Sequence, residues 1–408
     1  MAALHERNGC ALQGAVALLQ AVDGVVPVLH ANAGCGAALG RGRPLPSTAL
    51  LEKQVVFGGT SRLREQLKNA VQVQAGTLFG VLAGCVPEVI GDDVPAMLKE
   101  AREQRFPAFS VAVPGFGGHG WSGHAAAARA LLEHSTLAAP SPEAVPADVN
   151  LLGLVPGLDP DWEADLDEVA AVLAEAGLAA RRLAGEGTAA WQAAARSRAS
   201  LVLSPWGETA ADWLEREHRV LRVDLGWRPV GSADAALLLE RLGEALALDD
   251  ARVQAAAARL HARQRRALQA AAERGWLAAL PERFAVAAPS ATAVGLVRFL
   301  AGTLGLEPAA VVVTDQPPPE RRPALEAAAG VPLHYGAGSD EVAALLAAAG
   351  FDVLLASALE APVAAAAGVP LVEVATPLAR RPLVRSHAGV RGALALVEDL
   401  LAAPASRR

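Results

Sequence analysis

Cys10, Cys35 and Cys85 are the three cysteines of this 408-residue chain, and all of them fall in its first quarter. Each stands beside a glycine, in Gly9-Cys10, Gly34-Cys35-Gly36 and Gly84-Cys85. A free cysteine can serve simply as a small buried hydrophobe. Three thiols confined to one region, each next to a residue without a side chain, point instead to ligation of a bulky group that backbone must approach closely. An odd number of soft ligands implies a cluster completed by residues outside the chain. No charged and apolar export signal opens the sequence, so the chain is expected in the cytoplasm, where thiols stay reduced and bind metal rather than pair as disulfides.

Other motifs carry less chemistry. Gly115-Phe116-Gly117-Gly118-His119-Gly120 fits G-x-G-x-x-G, after the apolar run Phe109–Val113 and before a helical stretch, His124–Glu133. A dinucleotide site also needs an acidic residue about 20 positions on, closing a second strand. The linker Ala138–Pro142 stands there instead, so the loop is read as packing against a cluster or a partner chain. No P-loop, H-E-x-x-H or G-x-S-x-G is present, which leaves ATP binding by this chain, zinc hydrolysis and serine hydrolysis without support. His119 and His124 diverge on a helix and are read as solvated or supporting side chains. His30 ends an apolar run and reads as a hydrogen-bonded core residue. Glu88, Asp92 and Asp93 either cap the helix predicted at Val94–Glu103 or serve the cysteine site, and both readings stay open.

The elements that must position these residues follow from periodicity. Hydrophobic residues make up 52% of the chain and aromatic ones 4%, so its cores are built from Ala, Val and Leu. Net charge is −7 with no basic run, which argues against a nucleic-acid partner. Gln13, Gln20 and Asp23 interrupt the apolar stretch Ala11–His30, so no membrane span is expected there. Short apolar runs at Val149–Val155, Leu201–Leu203, Phe284–Ala288, Ala310–Thr314, Val353–Ala356 and Pro370–Val374 read as buried strands. Each meets a turn and then a helix, such as Trp162–Ala176 or Glu208–Arg216, and Ala251–Arg274 reads as one long basic helix. Alternating strands and helices predict an α/β protein with parallel sheets flanked by helices, in three Rossmann-like domains. These are residues 1–147 with Cys10, Cys35 and Cys85, residues 148–280 ending in the long helix, and residues 281–408. The tail Ala402–Arg408 is expected to be disordered.

With these residues in view, the chain resembles component 1 of the nitrogenase superfamily, in its β-type subunit. The resemblance runs nearly end to end. It rests on Leu12-Gln13-Gly14-Ala15 after the first cysteine, His30-Ala31-Asn32-Ala33-Gly34-Cys35, Val56-Phe57-Gly58-Gly59 and Arg385-Ser386-His387-Ala388-Gly389-Val390-Arg391-Gly392-Ala393. Its most specific signature is Gly84-Cys85-Val86-Pro87-Glu88-Val89-Ile90-Gly91-Asp92-Asp93. The resemblance implies that Cys10, Cys35 and Cys85 supply half the ligands of an [8Fe-7S] P-cluster shared with an α-type subunit in an α2β2 heterotetramer. Gly9, Gly34 and Gly84 would admit backbone to the cluster, and Phe57 would lie on the docking face for an ATP-dependent iron protein. The catalytic iron–sulfur cofactor would sit in the partner subunit, so no catalytic residue is expected in this chain.

Departures from the family pattern narrow the branch. Where a molybdenum nitrogenase offers a serine to the oxidised cluster, this chain reads Gly117-Gly118-His119, with Ser122 the nearest hydroxyl. Together with the short segment before Cys10, this favours the nitrogenase-like oxidoreductases that keep a P-cluster for electron transfer, best represented by methylthio-alkane reductase, which reduces C–S bonds. The alternatives are a nitrogenase β subunit reducing dinitrogen, a cofactor-assembly scaffold, a tetrapyrrole-reducing relative, and a metal-chelate binding module.

Overall fold

The computed structural model describes residues 6–40, 45–136, 147–381 and 383–403. The linker expected at 138–142 and the tail from 404 lie outside the described residues, while Ala402 closes a helix.

Three sheets, each wholly parallel, follow one another along the chain. The first holds β1 (Val25–His30), β2 (Leu78–Ala83) and β3 (Ala108–Ala112) in that order. Around it lie α1 (Ala11–Gln20), α2 (Ala33–Leu39), α3 (Glu52–Phe57), α4 (Thr60–Val73), α5 (Cys85–Ile90), α6 (Val94–Glu103) and α7 (Gly120–Ser135). Every residue of β2 (LFGVLA) is buried, as a strand covered by helices on both faces requires.

The second sheet has the order β5-β4-β6-β7, from β4 (Val149–Leu152), β5 (Ala180–Arg182), β6 (Ala199–Val202) and β7 (Leu221–Asp224). Its helices are α8 (Trp162–Glu175), α9 (Thr188–Ala193), α10 (Glu208–His218) and α11 (Gly231–Leu246), followed by the long α12 (Asp250–Glu273). The strand expected over Val149–Val155 stops at Leu152, because Gly153 turns the chain with a φ of +103°.

The third sheet has the order β10-β9-β8-β11-β12, from β8 (Arg283–Ala288), β9 (Glu307–Val313), β10 (His334–Tyr335), β11 (Val353–Ala356) and β12 (Leu371–Glu373). It is accompanied by α13 (Ser290–Gly302), α14 (Arg322–Ala329), α15 (Ser339–Ala347), α16 (Ala361–Ala367) and α17 (Gly389–Ala402). One buried apolar cluster runs through the second and third sheets, from Val149 and Leu201 to Phe284 and Val353. The last helix, α17, packs back on α8, α11 and α12. No helix among the described residues is long and apolar enough to cross a membrane.

The glycine motif at 115–120 finds one of its uses here. Helix α7 starts at Gly120, four residues before the expected start, and lies backbone to backbone on α1. A Cβ on Gly14 would stand 1.8 Å from the Gly120 carbonyl oxygen, and one on Gly123 would stand 1.9 Å from that of Ala11. Only glycine permits this approach, and it sets where Cys10, at the start of α1, meets the loop that precedes α7. Gly123→Ala is therefore expected to cost about 1–3 kcal/mol through overpacking. Gly302→Ala, where nothing stands within 4 Å of the new methyl, should be neutral or stabilising by up to about 1 kcal/mol. Urea-unfolding midpoints of the two variants check this.

Candidate metal centre

The thiols collect at the carboxyl ends of the first sheet, where open parallel sheets place their ligands. Cys85 opens α5 directly after β2, Cys35 is the third residue of α2 after β1, and Cys10 is the N-cap of α1. Each thiol thus stands in or beside the first turn of a helix, where unpaired N–H groups favour negative charge on sulfur. Asn32 shapes the α2 turn by accepting the Cys35 N–H at 2.8 Å.

Gly115, in the loop after β3, lies between Cys10 and Cys85. Its N–H donates to the Cys85 Sγ at 3.0 Å. A Cβ there would stand 3.2 Å from the Cys10 Cβ and 3.4 Å from the Cys85 Sγ. All three cysteines are free and half-buried. Burial first, and then the charges of Cys10 and Cys85, push the Cys35 thiol up from its ordinary value. A bound cation reverses both effects, because it favours the thiolates that otherwise repel one another. Among the described residues, no three His, Cys, Asp or Glu side chains converge on a position for a single metal ion.

The three flanking glycines occupy different settings. Gly9 has a φ of +57°, and a Cβ on Gly84 would stand within 3.4 Å of Ala31 and Leu12 side-chain atoms. Gly34 has only the Asn32 side chain near its open side. Ser122 donates its hydroxyl to the His119 carbonyl at 2.8 Å, closing the first turn of α7. His119 caps that helix with its ring edge-on to Trp206. His124, expected to be solvated or supporting, is not solvated: it lies inside α7's buried face, and burial lowers its pKa to about 4.

Two hydrogen-bonded groups that sequence reasoning did not assemble hold the site. The segment before Cys10 is anchored at a distance. The Arg7 guanidinium pairs with Glu360 at 2.7 Å, and the Asn8 amide donates to the Thr314 carbonyl at 2.7 Å while accepting from the Trp121 indole at 3.0 Å. The second group joins four segments in and around the first sheet. His30, fully buried, contacts Asp92 through Nε2 at 3.0 Å and Thr48 through Nδ1 at 3.2 Å. Burial outweighs the pull of Asp92 and lowers the His30 pKa. The Asp92 carboxylate also accepts the Gly59 N–H through both oxygens, at 2.8 and 3.0 Å. Its neighbour Asp93 does what either aspartate was expected to do, capping α6 through the Ala96 N–H.

Gly59 follows α3, which carries an apolar face on the outside of the molecule. Phe57 is 81% exposed and Val56 73%, with Leu51 beside them and Val89 on the adjoining α5. Phe116, next to Gly115, is exposed as well. Such a patch beside a thiol cluster marks an interaction surface.

A parallel α/β frame brings three thiols together from three segments of the first unit. The family model described as "Nitrogenase component 1 type Oxidoreductase" matches residues 10–404, and the chain belongs to that family of oxidoreductases. Over 159 residues it is 32% identical to the "Nitrogenase iron-molybdenum cofactor biosynthesis protein NifE" of Bradyrhizobium diazoefficiens, covering 36% of this chain and 29% of the relative. Over 174 residues it is 30% identical to the "Nitrogenase molybdenum-iron protein beta chain" of Frankia alni, covering 38% and 32%. It is also 30% identical over 185 residues to "Ni-sirohydrochlorin a,c-diamide reductive cyclase complex, component CfbD" of Methanothermobacter thermautotrophicus, covering 41% and 50%. The chain thus spans about a third to a half of the length of these curated relatives. In fold it is similar to the solved structure "Nitrogenase Cp1 at pH 6.5", with a TM-score of 0.79 at 18% identity, over 98% of this chain and 93% of the other.

The adjacent aspartates provide a test of the buried clip. Asp92→Ala leaves the His30 ring and the Gly59 N–H without their acceptor and is expected to cost about 2–4 kcal/mol. Asp93→Ala removes a helix cap and should cost about 1 kcal/mol. Equal losses in denaturant titrations would show that the clip contributes nothing of its own.

Proposed function

We propose that this chain is the β-type subunit of a nitrogenase-like reductase. Cys10, Cys35 and Cys85 would hold half of an [8Fe-7S] cluster, completed by an α-type subunit in an α2β2 assembly served by an ATP-driven iron protein. The observation that carries this assignment is the donor set: Cys10 and Cys85 flank Gly115, Cys35 lies close enough to feel their charge, and the three do not converge on one ion. Such an arrangement suits a multi-iron group shared with another chain. Bound there, the cluster supplies one-electron transfer.

The protein's own contributions follow from the same residues. The Gly115 N–H donates to Cys85 sulfur, a contact of the kind that tunes cluster potential. Gly9, Gly34 and Gly84 would be the points of closest backbone approach. Phe57 and Val56 would form the docking face for the iron protein, tied to the thiol region through Gly59, Asp92 and His30. The contact between the first and second units is filled by Trp121, Val155, Leu158 and Trp206, which supports placing the catalytic cofactor in the partner subunit. The three sheets support the division at 1–147, 148–280 and 281–408, with α17 returning to the middle unit.

Retention of three cysteines together with the altered serine segment favours C–S bond reduction of methylthio-alkanes over dinitrogen as the reaction. The relative named as a cofactor biosynthesis protein supports a second reading, a scaffold on which a cofactor matures without turnover.

Anaerobic co-purification with the α-type subunit, iron counting and electron paramagnetic resonance distinguish the two. Eight irons per αβ pair, silent when reduced and signalling on oxidation, with turnover of organic sulfides, is the expected result. Four irons without turnover would support the scaffold. Cys35→Ala should lower iron content and abolish turnover while circular dichroism stays native. Phe57→Ala should keep its iron yet lose about 2 kcal/mol of docking, close to thirtyfold in the affinity of the iron protein. Unchanged iron protein affinity would remove Phe57 from the docking face.

A further inference from the structure

The carboxyl ends of β6 and β7 open onto a cavity of about 540 Å³, well within the range of small-ligand sites and far from the thiols. It lies between two layers of the fold. Leu225, Trp227 and Arg241 come from the second sheet and α11, while Arg298 and the alanine face of α14 come from the third. A cleft at strand carboxyl ends and between units is where α/β proteins bind small molecules.

Three arginines, Arg241, Arg298 and Arg321, and two carboxylates, Glu208 and Asp224, line this cavity. Arg298 is held by Asp234 at 2.8 Å and by the Ala328 carbonyl at 2.8 Å, and it lies over the Trp227 ring. Asp234 also accepts the Trp227 indole N–H, so the wall is locked in place. Arg321 pairs with Glu208, and Asp224 pairs with Arg222 at 2.8 Å. Arg241 differs from all of these. Its guanidinium lies 5.3 Å from the Trp227 ring centre and donates to the Asp224 carbonyl, but it has no ion-pairing carboxylate among the described residues. The rest of the wall is apolar, formed by Leu225, Leu237 and the alanines of α14.

We propose that this cavity binds a small organic oxyanion, a carboxylate or phosphate monoester carried on a compact apolar body. The headgroup sits on Arg241, with the outward N–H groups of Arg321 in reach, because a guanidinium offers paired donors that match two oxyanion oxygens. The body lies along Leu237 and the α14 alanines, where it displaces water from apolar surface. Because Arg241 belongs to the second unit and α14 to the third, the ligand bridges them. The site is independent of the thiol cluster and of the redox function proposed above.

The test uses the co-purified complex and the fluorescent aromatic sulfonate 8-anilino-1-naphthalenesulfonate as the probe. One saturable probe site per chain is expected, displaced by benzoate or phenyl phosphate and not by neutral benzyl alcohol. Whichever anion displaces it at lower concentration identifies the headgroup. Arg241→Gln should weaken the probe at least about tenfold. Ala327→Trp, at an exposed position on α14, should abolish the site by filling it, while iron content and any reductase turnover stay unchanged in both variants. Absence of a saturable site, equal displacement by benzyl alcohol, or titrations unaltered in both variants would overturn the proposal.

Discussion

A single buried amide, that of Asn8, decides where the thiol region can be. It donates into the third sheet at Thr314 and accepts from Trp121 on α7, while the Asn8 backbone carbonyl receives the Gly120 N–H at 2.8 Å. Both ends of the side chain are thus engaged by groups that cannot find water, and losing either partner would strand a buried dipole. Two residues later comes Cys10. The first thiol is therefore placed by the first and third layers together, and the buried Arg7–Glu360 pair reinforces the same junction. Apolar packing alone, which is non-directional, would not fix a sulfur atom to the accuracy a rigid cluster demands.

The same logic of directional bonds inside an apolar frame appears around Asp92. Its two oxygens reach the end of β1 and the start of α4, so the strand that leads to Cys35 and the turn that follows Phe57 share one acceptor. Small displacements of the outer helix α3 are felt at a buried histidine rather than being absorbed by a flexible loop. On the function proposed above, these bonds would keep the Phe57 face in register with the thiol region.

Much of this was legible in the residues, and the failures have physical causes. Strands such as Val353–Ala356 stand where the apolar runs put them, and the long helix is one residue from its expected ends. The Gly115–Gly120 motif has the spacing of a nucleotide loop but lacks the acidic residue further on. It therefore reads as packing against a cluster or a partner chain, with no sign of which helix it meets. Its first glycine meets two thiols and its last permits helix contact, which only the tertiary fold reveals. Asp92 and Asp93 are alike in sequence, and only the position of Gly59, thirty-three residues earlier, separates a buried clip from a helix cap. Glu360 and Thr314, which hold Arg7 and Asn8, lie more than three hundred residues away, beyond any local pattern. The cleft at Arg241 left no motif at all, since its residues come from β6, β7, α10, α11, α13 and α14 and the turns beside them.

The position of α17 bears on how the chain is assembled. It is the last described helix to leave the ribosome, yet Val390, Leu396 and Val397 complete the apolar cluster that begins at Val149. Until it arrives, the helices α8, α11 and α12 keep an uncovered seam facing water. The middle unit therefore cannot mature in the order of synthesis. Nascent chains carry an unfinished core through most of translation, and the thiol-bearing first unit, whose apolar clusters draw only on residues before 221, stands ready long before the frame that must hold it.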